Sequence, residues 1–153
     1  PAAPVGALVV ASRLVAADLG AQTPDGFRSL AELGLGPSAY DVPPDLVRWA
    51  GQRLAGTGRP VGCGPVLTVT TATGTAARAA DLAGRWPGAV AEGMEGFGVA
   101  EAARRAGVPT LEVRAVSTPV GPRDRAAWRV DEALAGLRAA AAALFGPEAP
   151  AWP

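Results

Sequence analysis

The hydrophobic pattern of this chain changes character part-way along it. Near the start, Val5 to Ser12 is a small, β-branched apolar run that suits a buried strand. From Asp18 to Pro44 periodicity is lost and Gly, Pro, Asp and Ser accumulate, with Pro37 and the Pro43-Pro44 pair as breakers. That stretch predicts a long loop with at most one short turn of helix, and such a loop within a compact domain is more often functional than idle. Leu46, Trp49, Ala50 and Leu54 then recur at helical spacing behind Asp45, which predicts a helix from Asp45 to Leu54.

Beyond Gly56-Thr57-Gly58 the pattern is regular. It predicts a strand from Val66 to Thr71, a helix from Thr75 to Arg85, a strand from Ala89 to Glu92 and a helix from Phe97 to Arg105. Gly107 is placed to cap that helix with Pro109 beyond it, and a strand from Leu111 to Val116 and an alanine-rich helix from Ala126 to Leu144 complete the series. Strands alternating with helices imply right-handed crossovers and a mostly parallel, twisted sheet covered by helices on both faces. The fold class is α/β, one domain over residues 1–146, with a proline-rich tail over 147–153 that is expected to fray.

Composition narrows the function. A chain of 153 residues holds one core, and fourteen arginines against fourteen acidic residues leave none of the basic excess that nucleic acid or an anionic membrane requires. No apolar run reaches the roughly 18 residues of a membrane span, and no basic, then apolar leader opens the chain, so a cytoplasmic protein is expected. Histidine is absent and there is one cysteine, which excludes histidine-based metal sites, histidine-based nucleophilic catalysis and an internal disulfide. The absence of lysine, isoleucine and asparagine is the mark of GC-rich coding rather than of chemistry.

Ligands of open α/β sheets sit beyond the carboxyl ends of the strands, which singles out Ala72 to Thr75, Gly93 to Gly96, and Ser117 to Arg125 as one expected crevice. Glu95, among glycines at a strand-to-helix junction, can accept the hydroxyl hydrogens of a vicinal diol. It equally suits the first turn of a helix, where it complements the macrodipole. Arg114 shares a strand face with Glu112, which favours a buried ion pair. Thr73-Gly74-Thr75 suits an anion or a base edge, or a helix N-cap. Arg123-Asp124-Arg125 suits a carboxylate, or more simply a surface charge cluster. Met94 and Phe97 read as core, Cys63 as incidental, and Trp49, Trp86 and Trp128 as packing.

The stretch from Ala89 through Glu92-Gly-Met94-Glu95-Gly96 to Ala100, followed by Gly107-Val-Pro109 and Leu111-Glu-Val-Arg114-Ala-Val-Ser117, resembles the purine nucleoside phosphorylase and nucleosidase superfamily. Within it, Thr73-Gly-Thr75 and Val120-Gly-Pro-Arg-Asp-Arg125 with Trp128-Arg129 are similar to the futalosine hydrolases. The resemblance implies a three-layer phosphorylase-like fold and hydrolysis of the N-glycosidic bond of futalosine, releasing hypoxanthine on the route to menaquinone, with no metal or organic cofactor. It implies that Glu95 holds the ribose 2′ and 3′ hydroxyls while Met94 packs on the sugar. By the same resemblance Ala72 and Thr73 line the base pocket, and Arg114, Ser117 and Thr118 form the catalytic end of the last strand. A purine nucleoside is the implied substrate and a homo-oligomer the implied assembly, with the loop from Asp18 to Tyr40 reaching a neighbouring pocket.

Two departures from the family pattern carry expectations. The residue after the serine is usually Asp or Asn, and Thr118 can donate one hydrogen bond to the leaving base but cannot act as a general acid near neutral pH. That favours a 6-oxopurine over the adenine of a methylthioadenosine or adenosylhomocysteine nucleosidase. The chain also resembles only the later two thirds of the family, so a sheet with an exposed edge and little activity from this polypeptide alone are expected, down to a remnant that only binds nucleoside.

Overall fold

Three of the other strands of the main sheet pair directly with one strand. In the computed structural model, which describes residues 3–122 and 124–147, β1 (Leu8–Ala16) buries Leu8, Val9, Val10, Ala11, Leu14 and Val15 to 1% exposure or less. A strand so apolar must be covered on both faces. One edge of β1 pairs in parallel with β5 (Val61–Thr68) over its whole length. The other edge holds two antiparallel partners in tandem, β7 (Val113–Ala115) against Leu8 to Val10 and β4 (Ala39–Asp41) against Arg13 to Val15. β6 (Ala91–Gly93) pairs in parallel with β5 and forms the edge strand among the described residues. The sheet is therefore mixed.

A register shift between Ala11 and Arg13, in the pairing with β5, falls where the tandem partners of the other edge meet. At that shift Ala11 donates its N–H to Glu112, while Ser12 accepts from Val42, so the β1 edge changes partner there. The slip also carries Leu14 to the face of Val9 and Ala11, where they pack with Leu46, Val66 and Ala100. Leu8 and Val10 face the other way, onto Ala50 and Leu54 of α1 (Pro44–Ala55) and Ala140 and Leu144 of α4 (Val130–Phe145). Ala100 belongs to α3 (Gly96–Ala106), which ends on Gly107 in the left-handed region (φ 68°), as its sequence implies. Leu82 of α2 (Ala76–Arg85) packs on Val15, Leu67 and Val69.

Several sequence expectations need correction. The first strand lies beyond Val5 to Ser12, because the apolar run continues through Arg13 to Leu14-Val15 once the shift restores alternation. The Asp18 to Pro44 stretch is not a plain loop: it holds β4 and a hairpin of β2 (Gly20–Thr23) and β3 (Gly26–Ser29), turned by Pro24-Asp25 with Gly26 at φ 115°. β5 starts at Val61 and ends at Thr68 rather than running from Val66 to Thr71. Its first half, Gly62-Cys63-Gly64-Pro65, has poor strand propensity and is held by its neighbours: a Cβ on Gly64 would lie 2.7 Å from Val90 Cγ1, and Pro65 falls at the bulge, where a missing N–H is tolerated. β7 runs antiparallel to β1, against the parallel expectation, and the last helix begins at Val130 after a separate 3₁₀ turn at Arg125–Ala127. Of the expected tail, residues 148–153 lie outside the described residues. No helix among the described residues is long and apolar enough to cross a membrane.

Leu54 is fully buried where α1, α4 and β1 meet, whereas Leu35 is 71% exposed. Leu54→Ala should cost about 2–5 kcal/mol and Leu35→Ala less than about 0.5 kcal/mol, as compared by urea unfolding.

Candidate active site

A cavity of about 830 Å³ lies against the sheet: Leu67 of β5, Ala91 and Glu92 of β6 and Arg114 and Ala115 of β7 all line it. β6 and β7 are separated by β5 and β1 in the hydrogen-bonded order, so the cavity spans several strands. Ala72 and Thr73 line the same cavity, as do Ser117, Thr118 and Trp128. Because β7 is antiparallel, Ser117 and Thr118 are not beyond the same sheet end as Thr73, although all three line the one cavity. A second hollow of about 490 Å³ lies between the β2–β3 hairpin and the turn from Thr71 to Thr75, sharing Ala72 and Thr73 with the first.

Arg114 links the parts. Its Nε donates to Oε1 of Glu112, which is 9% exposed, and its Nη2 donates to Oε2 of Glu95 at 2.9 Å. Two glycines make room for this chain of charges. A Cβ on Gly93 would fall 2.6 Å from Arg114 Cζ, and a Cβ on Gly96 would overlap Glu112 Oε2. Burial opposes the charge on Arg114, but the two carboxylates more than offset it and hold the guanidinium above its ordinary pKa. Glu95 is held below the usual carboxylate range, first by the Arg114 hydrogen bond and then by the Met94 N–H.

The ion pair expected of Arg114 with Glu112 is present, and it extends outward to Glu95. Glu95 is largely solvent-exposed, its side chain 66% accessible. It stands just before α3, yet its side chain makes no capping bond and turns to Arg114 instead. Met94 is not core but 51% exposed beside it. Glu95 and Met94 are not among the lining residues of the cavity, and Glu95 is tied to it through Arg114, which is.

The threonines divide their tasks. Thr75 caps α2, accepting from Arg78 N–H at 3.2 Å. Thr73 is 7% exposed and gives its N–H (2.9 Å) and hydroxyl (2.6 Å) to the two carboxylate oxygens of Glu92. Glu92, an acid at the end of the Ala89-Val-Ala run, has no role in the sequence reading, and its place in an otherwise apolar strand was the signal available. The Thr118 hydroxyl has only a 3.4 Å contact to the Pro119 carbonyl, so it remains a donor for something else. Ser117 accepts the Arg129 N–H through its carbonyl.

Other expectations resolve more simply. Phe97 stacks on Tyr40 with ring centroids 5.3 Å apart. Trp49 and Trp86 pack against the core, and Cys63 is exposed. Asp124 caps the 3₁₀ turn, accepting from Ala126, while Arg123 lies outside the described residues. Among the described residues no group of three His, Cys, Asp or Glu side chains could hold a metal ion.

Glu95's lowered pKa fixes a sign. The contribution of its bond to Arg114 is fully present above the unfolded carboxylate pKa, about 4.3, and is lost as pH falls through the lower folded value. Arg114→Met should move the Glu95 midpoint upward, which a carboxyl NMR titration of parent and variant measures.

The family model of the phosphorylase superfamily matches residues 1–146. A futalosine hydrolase of Streptomyces coelicolor is 61% identical over 90% of this chain, and one of Acidothermus cellulolyticus is 51% identical over 92%. The matches cover 56% and 57% of those proteins, so the chain spans little more than half the length of these curated relatives. Among solved structures, the S-adenosylhomocysteine nucleosidase of Streptococcus pyogenes in complex with 5-methylthiotubericidin superposes with a TM-score of 0.76. It is 24% identical, and the match covers 94% of this chain and 59% of that one. This likeness establishes the fold.

Proposed function

We propose, because the chain belongs to the phosphorylase superfamily, that its cavity is that of a nucleosidase hydrolysing the N-glycosidic bond of futalosine to hypoxanthine and dehypoxanthine futalosine. The observation that carries this reading is the exposed Glu95 carboxylate, fixed by Arg114, which itself lines the cavity. The 61% identity to a futalosine hydrolase supports the choice of substrate.

In this reading Glu95 accepts hydrogens from the ribose 2′ and 3′ hydroxyls, and Met94 covers the sugar. The base lies inside, against Ala72 and Thr73, near Thr118. As the C1′–N9 bond breaks, the ribose becomes an oxocarbenium-like cation and the purine takes the bonding pair. Water then adds its oxygen to C1′ and its protons are shared between the new hydroxyl and the departing base. Glu95, held by Arg114, supports the positive sugar, and Arg114 lies beside the attacking water with Ser117 at the same strand end. The Thr118 hydroxyl donates one hydrogen bond to N7 or O6 of the base as negative charge gathers there. Foregoing a general acid costs about 10²–10⁴ in rate, which a 6-oxopurine tolerates better than adenine does. The same reading makes the protein a cytoplasmic homo-oligomer that works without a cofactor.

Binding is measured beside turnover, so that recognition and chemistry are read separately. Calorimetric titration with futalosine should show saturable binding that Glu95→Ala weakens by about tenfold to a hundredfold, the worth of hydrogen bonds to a charged group. Base released without phosphate should be hypoxanthine. Binding indifferent to Glu95→Ala, or release only in the presence of phosphate, overturns the proposal.

A further inference from the structure

Glu92 is the charged group in this cavity to which the proposed reaction gives no task. It projects from the short, otherwise small and apolar strand β6 into the cavity wall and is only partly accessible. Carboxylates in such places need hydrogen-bond donors. Its donors are the Thr73 N–H on Oε1 and the Thr73 hydroxyl on Oε2, at 2.9 and 2.6 Å. No arginine among the described residues forms an ion pair with it; the nearby guanidinium of Arg114 goes to Glu112 and Glu95.

The pairing has two consequences for a base lying against Thr73. The backbone N–H of Thr73, otherwise a donor available to a ring nitrogen, is already engaged. Each Glu92 oxygen has accepted one hydrogen bond and has capacity for another, since a carboxylate offers about four acceptor positions. The wall at this point therefore accepts and does not donate. A 6-oxopurine carries hydrogen on N1, while a 6-aminopurine presents a lone pair there. The first complements the wall and the second is repelled by it, and a site built around a substrate's N–H rejects an analogue that lacks it.

We infer that Glu92, held in place by Thr73, is the residue that selects 6-oxopurines over 6-aminopurines by accepting the N1 hydrogen of the base. This rests on the nucleosidase reading above, and it adds a determinant on the base to the one on the ribose.

The test compares hypoxanthine, adenine and 1-methylhypoxanthine as free bases, titrated calorimetrically into the full chain and into Glu92→Gln, with circular dichroism to verify that the variant is folded. The parent chain should bind hypoxanthine at least about tenfold more tightly than adenine, the scale of one hydrogen bond to a charged group. Glu92→Gln, which can turn an amide donor toward the base, should shrink that preference to about threefold or reverse it. The parent chain should also discriminate about tenfold against 1-methylhypoxanthine, which keeps O6 but lacks the N1 hydrogen, and this arm needs no variant. A hypoxanthine preference that survives in Glu92→Gln, or 1-methylhypoxanthine bound as well as hypoxanthine, overturns the inference and leaves the nucleosidase reading standing. A parent chain that binds neither base, or prefers adenine, overturns both.

Discussion

A guanidinium held between a buried and an exposed carboxylate organises the candidate site. Glu112 is nearly inaccessible, and a carboxylate taken so far from water is costly without a partner. Arg114 is that partner, and its other edge reaches outward to fix Glu95. The buried pair thereby determines where an exposed carboxylate stands, without any packing around Glu95 itself. It also constrains the backbone, since Gly93 and Gly96 lie where any side chain would meet Arg114 or Glu112. The alternation of glycines around Met94-Glu95 is thus the space that the ion pairs occupy.

Arg114 stands where it does because of β1. One edge of β1 is divided between β7 and β4 where the register shift between Ala11 and Arg13 falls, and β7 is the strand that carries Arg114. A regular β1 would offer that edge in a single register, and Leu14 would fall on the face opposite Val9 and Ala11. The bulge is a packing feature of the sheet that lies close to the strand carrying Arg114. It lies four residues or fewer from the Val9–Arg114 pair and falls where Pro65 of β5 needs no ladder hydrogen bond.

Helices were more legible in the sequence than strands, for physical reasons visible in particular residues. The helix read from Leu46, Trp49, Ala50 and Leu54 extends one residue further at each end, and Thr75 and Gly107 occupy the boundary positions their chemistry favours. The hairpin was missed because Gly-Ala-Gln-Thr and Gly-Phe-Arg-Ser show no apolar alternation, although Pro24-Asp25-Gly26 is turn chemistry that could have revealed it. The direction of β7 has no local signal: three residues pair wherever the tertiary structure leaves an open edge. For the site, spacing brought Arg114 and Glu112 together, the strand-to-helix junction singled out Glu95, and the family resemblance gave Glu95 the ribose. What none of these contained was that the three form one chain, because Glu95 lies on a different element, 19 residues before Arg114, and meets it only in the folded structure.

Glu92 and Glu95 show how neighbouring identical side chains acquire different chemistry from their surroundings. They are separated by Gly93 and Met94, and the strand ends between them. Glu95 is solvent-exposed and paired with a cation, so it remains charged at pH values where an ordinary carboxylate takes up a proton, and it is suited to hold hydroxyl groups beside a developing positive charge. Glu92 faces the cavity and is held by a neutral threonine rather than a cation. A neutral donor pair orients a carboxylate without cancelling its charge, leaving its acceptor capacity directed at whatever lies against Thr73. The Glu-Gly-Met-Glu stretch thus places an electrostatic group outside the cavity and a recognition group inside it, and the turn between them sets their separation.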